Sequence, residues 1–227
     1  MEKTLICVAI GVKNRAEALR LVVEEGGDAD LLEIRLDCLE DSDPAPFCNQ
    51  SVKPLLFTNR PDWEGGFYSG TEEDRIKPLI RAIDLGAAYV DCELRAPESS
   101  RDLLRKRSAD CKTKLILSWH DFHATPSARV LHDLVDRMYD QGADIGKIVT
   151  TAADHLDVLR VLGLQEQAAK RGIALTAFCM GKAGMFSRLA TVKLGGCMTY
   201  CSPGGYGGTA PGQMSSPSLK ALLGMLK

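Results

Sequence analysis

A chain of 227 residues, 45 % hydrophobic and 26 % charged, is long enough to bury a sizeable core. Its net charge of -2 gives no electrostatic case for binding nucleic acid or an anionic membrane surface. No apolar run approaches the ~20 residues that a membrane-spanning helix needs.

The apolar run at 4–10 has the length of a signal-peptide core, but Gly11-Val12-Lys13-Asn14-Arg15 follows without a small-x-small cleavage site. It is read as a first strand, and the protein as cytoplasmic. Helical periodicity follows at 14–25 and stops at Gly26-Gly27. A second strand at 30–37 alternates Glu33, Arg35 and Asp37 with apolar residues, which would put the three charges on one face. The interval 38–52 is helically weak. A third strand, 53–59, ends in Arg60, with Glu64 on the loop beyond. A helix at 72–85 leads to a fourth strand at 88–94, where Asp91 and Glu93 share one face. A basic helix at 97–108 precedes a fifth strand, 113–119, that runs into His120.

After a helix at 127–139 comes Asp144-Ile145-Gly146-Lys147-Ile148-Val149-Thr150, a buried strand with one lysine at its centre. Burying an ammonium is expensive. Either Lys147 points into a closed site with a depressed pKa, its free amine able to attack a carbonyl, or its stem packs while its charge reaches solvent. A long helix at 154–171, a seventh strand at 173–179, a short helix at 185–194 and an eighth strand at 196–200 follow. A glycine-rich loop, 202–213, precedes a last helix from 216 onward. In that helix Leu219, Leu222, Leu223, Met225 and Leu226 either cover the barrel or meet a second copy in a homodimer.

The 8 cysteines form no CxxC pair and no Cys/His cluster at zinc spacing. Free thiols are expected, with no metal and no cofactor. Eight strand–helix units without a linker fit a single-domain (β/α)8 TIM barrel over 1–227, a fold of about 250 residues. The open doubly wound sheet competes, but the first strand–helix turn lacks GxGxxG and no GxxxxGK[ST] occurs.

In such a barrel the active site lies at the C-terminal ends of the strands. Glu33, Arg35, Arg60, Glu64, Asp91, Glu93, His120, Lys147, Arg188, Thr209 and Gln213 all sort to that end. Each has a plainer reading. Glu33 and Arg35 could form an interior ion pair, His120 could bond to backbone, and Arg188 could be a surface charge.

Taken in order, these motifs resemble the type I 3-dehydroquinate dehydratases. The resemblance is carried by Glu33-Ile34-Arg35-Leu36-Asp37, Phe57-Thr58-Asn59-Arg60 with Glu64-Gly65-Gly66, and Asp91-Cys92-Glu93. Ser118-Trp119-His120-Asp121-Phe122, Asp144-Ile145-Gly146-Lys147, Ser187-Arg188 and Ala210-Pro211-Gly212-Gln213 continue it over nearly the whole chain. It implies that Lys147 forms an imine with the ketone of 3-dehydroquinate and that His120 is the general acid/base, its ring fixed by Glu64. It also implies that Arg188 holds the substrate carboxylate, that Glu33, Arg35 and Arg60 read ring hydroxyls, and that Thr209 and Gln213 close the site. Asp91 and Glu93 would orient Arg35 or Lys147 from behind. Thr209 stands where the family commonly has serine. Ala9 stands where a serine often makes a contact, so that role is not carried over.

Two other functions remain open to sequence. One is an imine-forming class I aldolase or transaldolase-like barrel, though no phosphate cradle clearly follows strands seven and eight. The other is a non-catalytic metabolite-binding barrel, against which the presence of both Lys147 and His120 argues.

Overall fold

The computed structural model describes residues 3–27, 29–210 and 212–225. Met1, Glu2, Pro211 of the last motif and Leu226 of the last helix lie outside them. Parallel strands β1 (Leu5–Ile10), β2 (Leu31–Arg35), β3 (Leu55–Thr58), β4 (Tyr89–Glu93), β5 (Lys114–His120), β6 (Ile145–Thr151), β7 (Ala174–Met180) and β8 (Met198–Cys201) form an 8-stranded sheet ordered β7-β6-β5-β4-β3-β2-β1-β8. The sheet curls into a nearly closed barrel. Its first and last strands in sequence are laddered, Leu5 with Met198 through Val8 with Cys201. Among the described residues no ladder joins β7 to β8. That seam is held instead by the Cys197 amide donating to Leu175 O at 2.9 Å and by the Thr176 hydroxyl donating to Met198 O.

Around the strands run α1 (Arg15–Glu25), α2 (Ala45–Gln50), α3 (Glu72–Asp84), α4 (Glu98–Cys111), α5 (Ala128–Asp140), α6 (His155–Leu162), α7 (Leu164–Arg171), α8 (Gly181–Lys193) and α9 (Ser216–Met225). Several starts are encoded by side-chain caps: Asn14 accepts from Glu17 N, Thr71 from Asp74 N, and Asp154 from Leu156 N and Asp157 N. The period-2 alternation of each strand divides the core in two. Val8, Ile34, Phe57, Val90, Leu117 and Ile148 face the helices, while Cys7, Leu31, Leu56, Ile116, Ile145 and Met198 fill the barrel interior.

Three expectations need correction. The second strand ends at Arg35, and Leu36–Cys38 turns into a 3-10 helix, so Asp37 does not share a strand face with Glu33 and Arg35. It accepts instead from Arg35 Nε at 2.9 Å and Nη2 at 2.6 Å, and from the Arg60 amide at 3.1 Å. The long helix expected at 154–171 is interrupted at Gly163, where the Glu166 amide reaches back to Gly163 O at 3.2 Å, a tightened i+3 bond. Helix α8 starts four residues earlier than the periodicity suggested, directly after β7, on a glycine with φ +79. In α9, Leu219 is buried while Leu222 and Met225 are exposed.

Candidate active site

Barrel register puts the polar residues together. Ser118 on β5 stands beside Lys147 on β6, and Lys147 beside Thr176 on β7. Their side chains point inward at the C-terminal half of the barrel, where a pocket opens. Lys147, His120, Glu64, Glu33, Arg35, Arg60, Arg188, Thr209 and Gln213 all line it. Asp91 and Glu93, both 0 % exposed, lie behind that lining.

Lys147 is 4 % exposed, so its nitrogen does not escape to solvent as the plainer reading required. Nζ lies 3.1 Å from Asp91 Oδ2 and 3.7 Å from Glu33 Oε1, and 4.0 Å from the centroid of the Tyr200 ring. Burial alone would push the Asp91 carboxyl up, but Arg60 and Lys147 outweigh it and hold Asp91 well below the usual carboxylate range. Asp91 also accepts from Ser118 Oγ at 2.6 Å, and Glu33 from Thr58 Oγ1 at 2.7 Å. The lysine therefore sits in a charged setting, bonded to Asp91 and flanked by Glu33, rather than a bare apolar one.

His120 is turned inward from the last residue of β5, its side chain 9 % exposed. Nδ1 faces Glu64 Oε2 at 3.6 Å, an ion-pair distance longer than a hydrogen bond, and among the described residues neither atom has a hydrogen-bond partner. Burial, with the cations Arg60 and Lys147 nearby, lowers the His120 pKa well below 6.5, so the ring is neutral at neutral pH. Burial pushes the Glu64 carboxyl up to about 7, against the opposing pull of Arg60. Its other oxygen is held by Arg95, with Nε at 3.1 Å and Nη2 at 3.0 Å, and Arg95 lies over the Trp63 ring.

The two arginines expected to read substrate hydroxyls are already engaged. Arg35 is paired with Asp37, as described above. Arg60 donates to Glu93, to Ser118 Oγ at 2.7 Å and to Asp91 Oδ2 at 2.9 Å. Glu93 is in turn held by Arg75 of α3 at 2.6 Å, so a buried ladder of alternating charge runs from the lysine out to that helix. Arg188, on α8, is 1 % exposed and lies over the Phe178 ring at 4.4 Å. Burial lowers its pKa to about 10, which leaves it cationic at neutral pH.

The loop after β8 is fastened at both ends. Glu25 of α1 accepts from the Gly204 amide at 2.7 Å and from Ser216 Oγ at 2.6 Å. Over the cavity, Thr209 N and Oγ1 both donate to Gln213 Oε1, at 2.7 and 3.2 Å. His123, His132 and His155 are exposed and take no part.

Sequence reasoning missed Tyr200, Phe178, Ser118, Thr58 and Arg95. Alternation could have found two of these, since Ser118 and Thr58 each precede a site residue by two positions. It could not have found Tyr200, whose role depends on β8 closing the barrel beside β7, two strands from Lys147.

Gly65, next to Glu64, has φ +76, and a Cβ there would meet Phe122 Cε2 at 2.1 Å. The Phe122 ring stacks on His120 at 6.4 Å between centroids. Gly65→Ala is therefore expected to lower Tm by about 4–10 °C, through left-handed strain plus overpacking. It should also depress turnover by shifting the histidine. Thermal unfolding unchanged within a degree or so would show that the turn can relax.

The sequence model of the family described as Type I 3-dehydroquinase matches residues 6–227. A 3-dehydroquinate dehydratase of Desulfotalea psychrophila is 46 % identical, the match covering 98 % of each chain. One from Thermococcus gammatolerans is 39 % identical over 98 % of this chain and 99 % of its own. Among solved structures, the type I 3-dehydroquinate dehydratase of Clostridium difficile with covalently modified comenic acid superposes with a TM-score of 0.90 at 25 % identity, covering 100 % of this chain and 93 % of that one.

Proposed function

The chain belongs to the type I 3-dehydroquinase family, and from that premise we propose that it dehydrates 3-dehydroquinate through an imine on Lys147, with His120 as general acid and base, in one catalytic domain over 1–227. As a member of this family it is a hydro-lyase of the shikimate pathway. The aldolase and binding-barrel readings give way to that assignment. The observation that carries the mechanism is a lysine buried in the barrel cavity that His120 also lines, with carboxylates on its flank.

The chemistry needs an electron sink. Removing a proton beside a plain ketone leaves a high-energy enolate, whereas an iminium turns the same step into formation of a neutral enamine. As the ketone enters, the Lys147 nitrogen attacks the carbonyl carbon, and two of its three ammonium protons pass to the carbonyl oxygen that later leaves as water. The carbinolamine loses water to give the iminium. His120, kept neutral by its surroundings, takes the C2 proton. The imidazolium so formed is a strong acid in this cationic setting. It returns the proton to the C1 hydroxyl as the C1–O bond breaks, which gives syn loss of water and a conjugated iminium. Hydrolysis consumes one water and frees both the amine and 3-dehydroshikimate, so the net change is loss of one water. Arg188 suits the substrate carboxylate because its planar fork binds two oxygens at once. Glu33 would accept from a ring hydroxyl, with Arg35 and Arg60 supplying positive potential from their ion pairs. Thr209 and Gln213 cap the cavity, and Asp91 and Glu93 orient Lys147 and Arg60 from behind.

The test is sodium borohydride reduction in the presence of 3-dehydroquinate, followed by peptide mass spectrometry. An adduct on the peptide that contains Lys147 supports the mechanism. Full protection of activity with no adduct would remove the imine.

Glu64 supplies a pH signature. Its carboxyl holds a proton more tightly folded, at about 7, than at its ordinary value of 4.5. Its stabilising contribution is therefore complete below about pH 4.5 and lost as pH rises through about 7. Glu64→Gln, which cannot ionise, should gain in Tm on the unsubstituted protein between about pH 5 and pH 8. Its acid limb of kcat/KM near neutrality should also flatten. A Tm difference independent of pH would mean that the carboxyl is not raised.

A further inference from the structure

We propose that Tyr200 is a further catalytic residue: with Phe178 it forms an aromatic floor whose faces carry the two cations that meet the substrate, and its own ring holds the positive charge of the Lys147 iminium. This rests on the imine reading above. Lys147 Nζ stands 4.0 Å from the Tyr200 centroid, and the Arg188 guanidinium carbon stands 4.4 Å from the Phe178 centroid. The rings themselves are 6.1 Å apart and tilted by 49°. They belong to β8 and β7, so the pair bridges the seam at which the described residues form no ladder. Both rings are buried, at 4 % and 2 % exposure, which shelters the contacts from water.

The hydroxyl does not explain the residue. Among the described residues the Tyr200 OH is buried without a hydrogen-bond partner, a destabilising feature for which packing alone would favour phenylalanine. Burial also pushes the phenol pKa well up, so the ring stays neutral and its face electron-rich. What the position offers the reacting nitrogen is that face. In the cycle above, the nitrogen turns from neutral to cationic twice, when the carbinolamine expels water and when the enamine expels the C1 hydroxyl. Both transition states develop positive charge over the ring, where a desolvated cation–π contact favours them. No oxidant or metal is needed, and the electron pair that leaves with each oxygen is supplied by the nitrogen.

A shape-preserving series tests the electrostatics without disturbing packing. Tyr200→Phe, which keeps the ring face and removes the unpartnered hydroxyl, is the reference for the series and should melt no lower than the unsubstituted enzyme. Installing mono-, di- and trifluorophenylalanine at position 200 drains the ring face stepwise. Log kcat should fall in proportion to the number of fluorines, by about 30-fold in total. A series with flat kcat overturns the proposal, as does one that loses stability in step with activity. Borohydride trapping on the unsubstituted enzyme separates the two levels. If it labels Lys147 while the fluorine series is flat, only the aromatic floor fails. If it labels nothing, the imine reading fails and takes this proposal with it.

Discussion

Lys147→Ala is expected to abolish the borohydride-trapped adduct and to cut turnover by at least about 10⁴-fold, because the proposed covalent route disappears entirely. The fold should survive. Asp91 would keep its bonds to Arg60 at 2.9 Å and to Ser118 at 2.6 Å, and Glu33 its bond to Thr58, so no carboxylate is left without a partner. Cooperative thermal unfolding, measured alongside turnover, separates a chemical loss from a structural one. Lys147→Met is the closer control, since it keeps the stem that packs in the barrel and removes only the charge. Retention of even a tenth of the activity in a well-folded Lys147→Met protein would mean that some other group carries the chemistry.

His120→Ala should behave differently. Turnover falls by about 10³-fold, in the range of a lost general acid/base, while the adduct still forms and accumulates. The distinction follows from position: His120 faces the cavity from β5 with Glu64 behind it, and it takes no part in holding Lys147. Rapid mixing with 3-dehydroquinate, borohydride quench and intact-mass measurement would give the trapped fraction against time. Ultraviolet absorbance of the conjugated enone gives the rate. Normal turnover in this variant removes histidine from the mechanism. Loss of the adduct together with turnover would instead make it a group needed to build the imine.

Much of this site was legible before any coordinates because a charge within an apolar strand has few explanations. Asp91, Glu93 and Lys147 stand out for that reason, and alternation fixes the face on which each lies. The helix at 154–171 misled because Gly163 keeps helical dihedrals, φ -61 and ψ -19, while the hydrogen bonding around it tightens. Asp37 misled because a strand may end two residues before its pattern does. The roles of Arg35 and Arg60 were harder still. A sequence gives the charge but not the partner that neutralises it, and both guanidiniums prove to be tied to carboxylates of this chain. Tyr200 was invisible for a related reason. An aromatic residue near a strand end reads as core until the closure of the barrel that brings β8 beside β7 is known.

The ladder between Leu5–Ile10 and Met198–Cys201 has a consequence for biogenesis. While the chain is still being translated, β1 has no neighbour on one side and must wait for β8, the last strand of the sheet in sequence order. Contacts that distant in sequence form slowly, and an unpaired edge held open on the ribosome is a hazard for aggregation. The same late strand delivers Tyr200 beneath the lysine. Ring closure and completion of the polar basin are thus one event, reached only once β8 has been made.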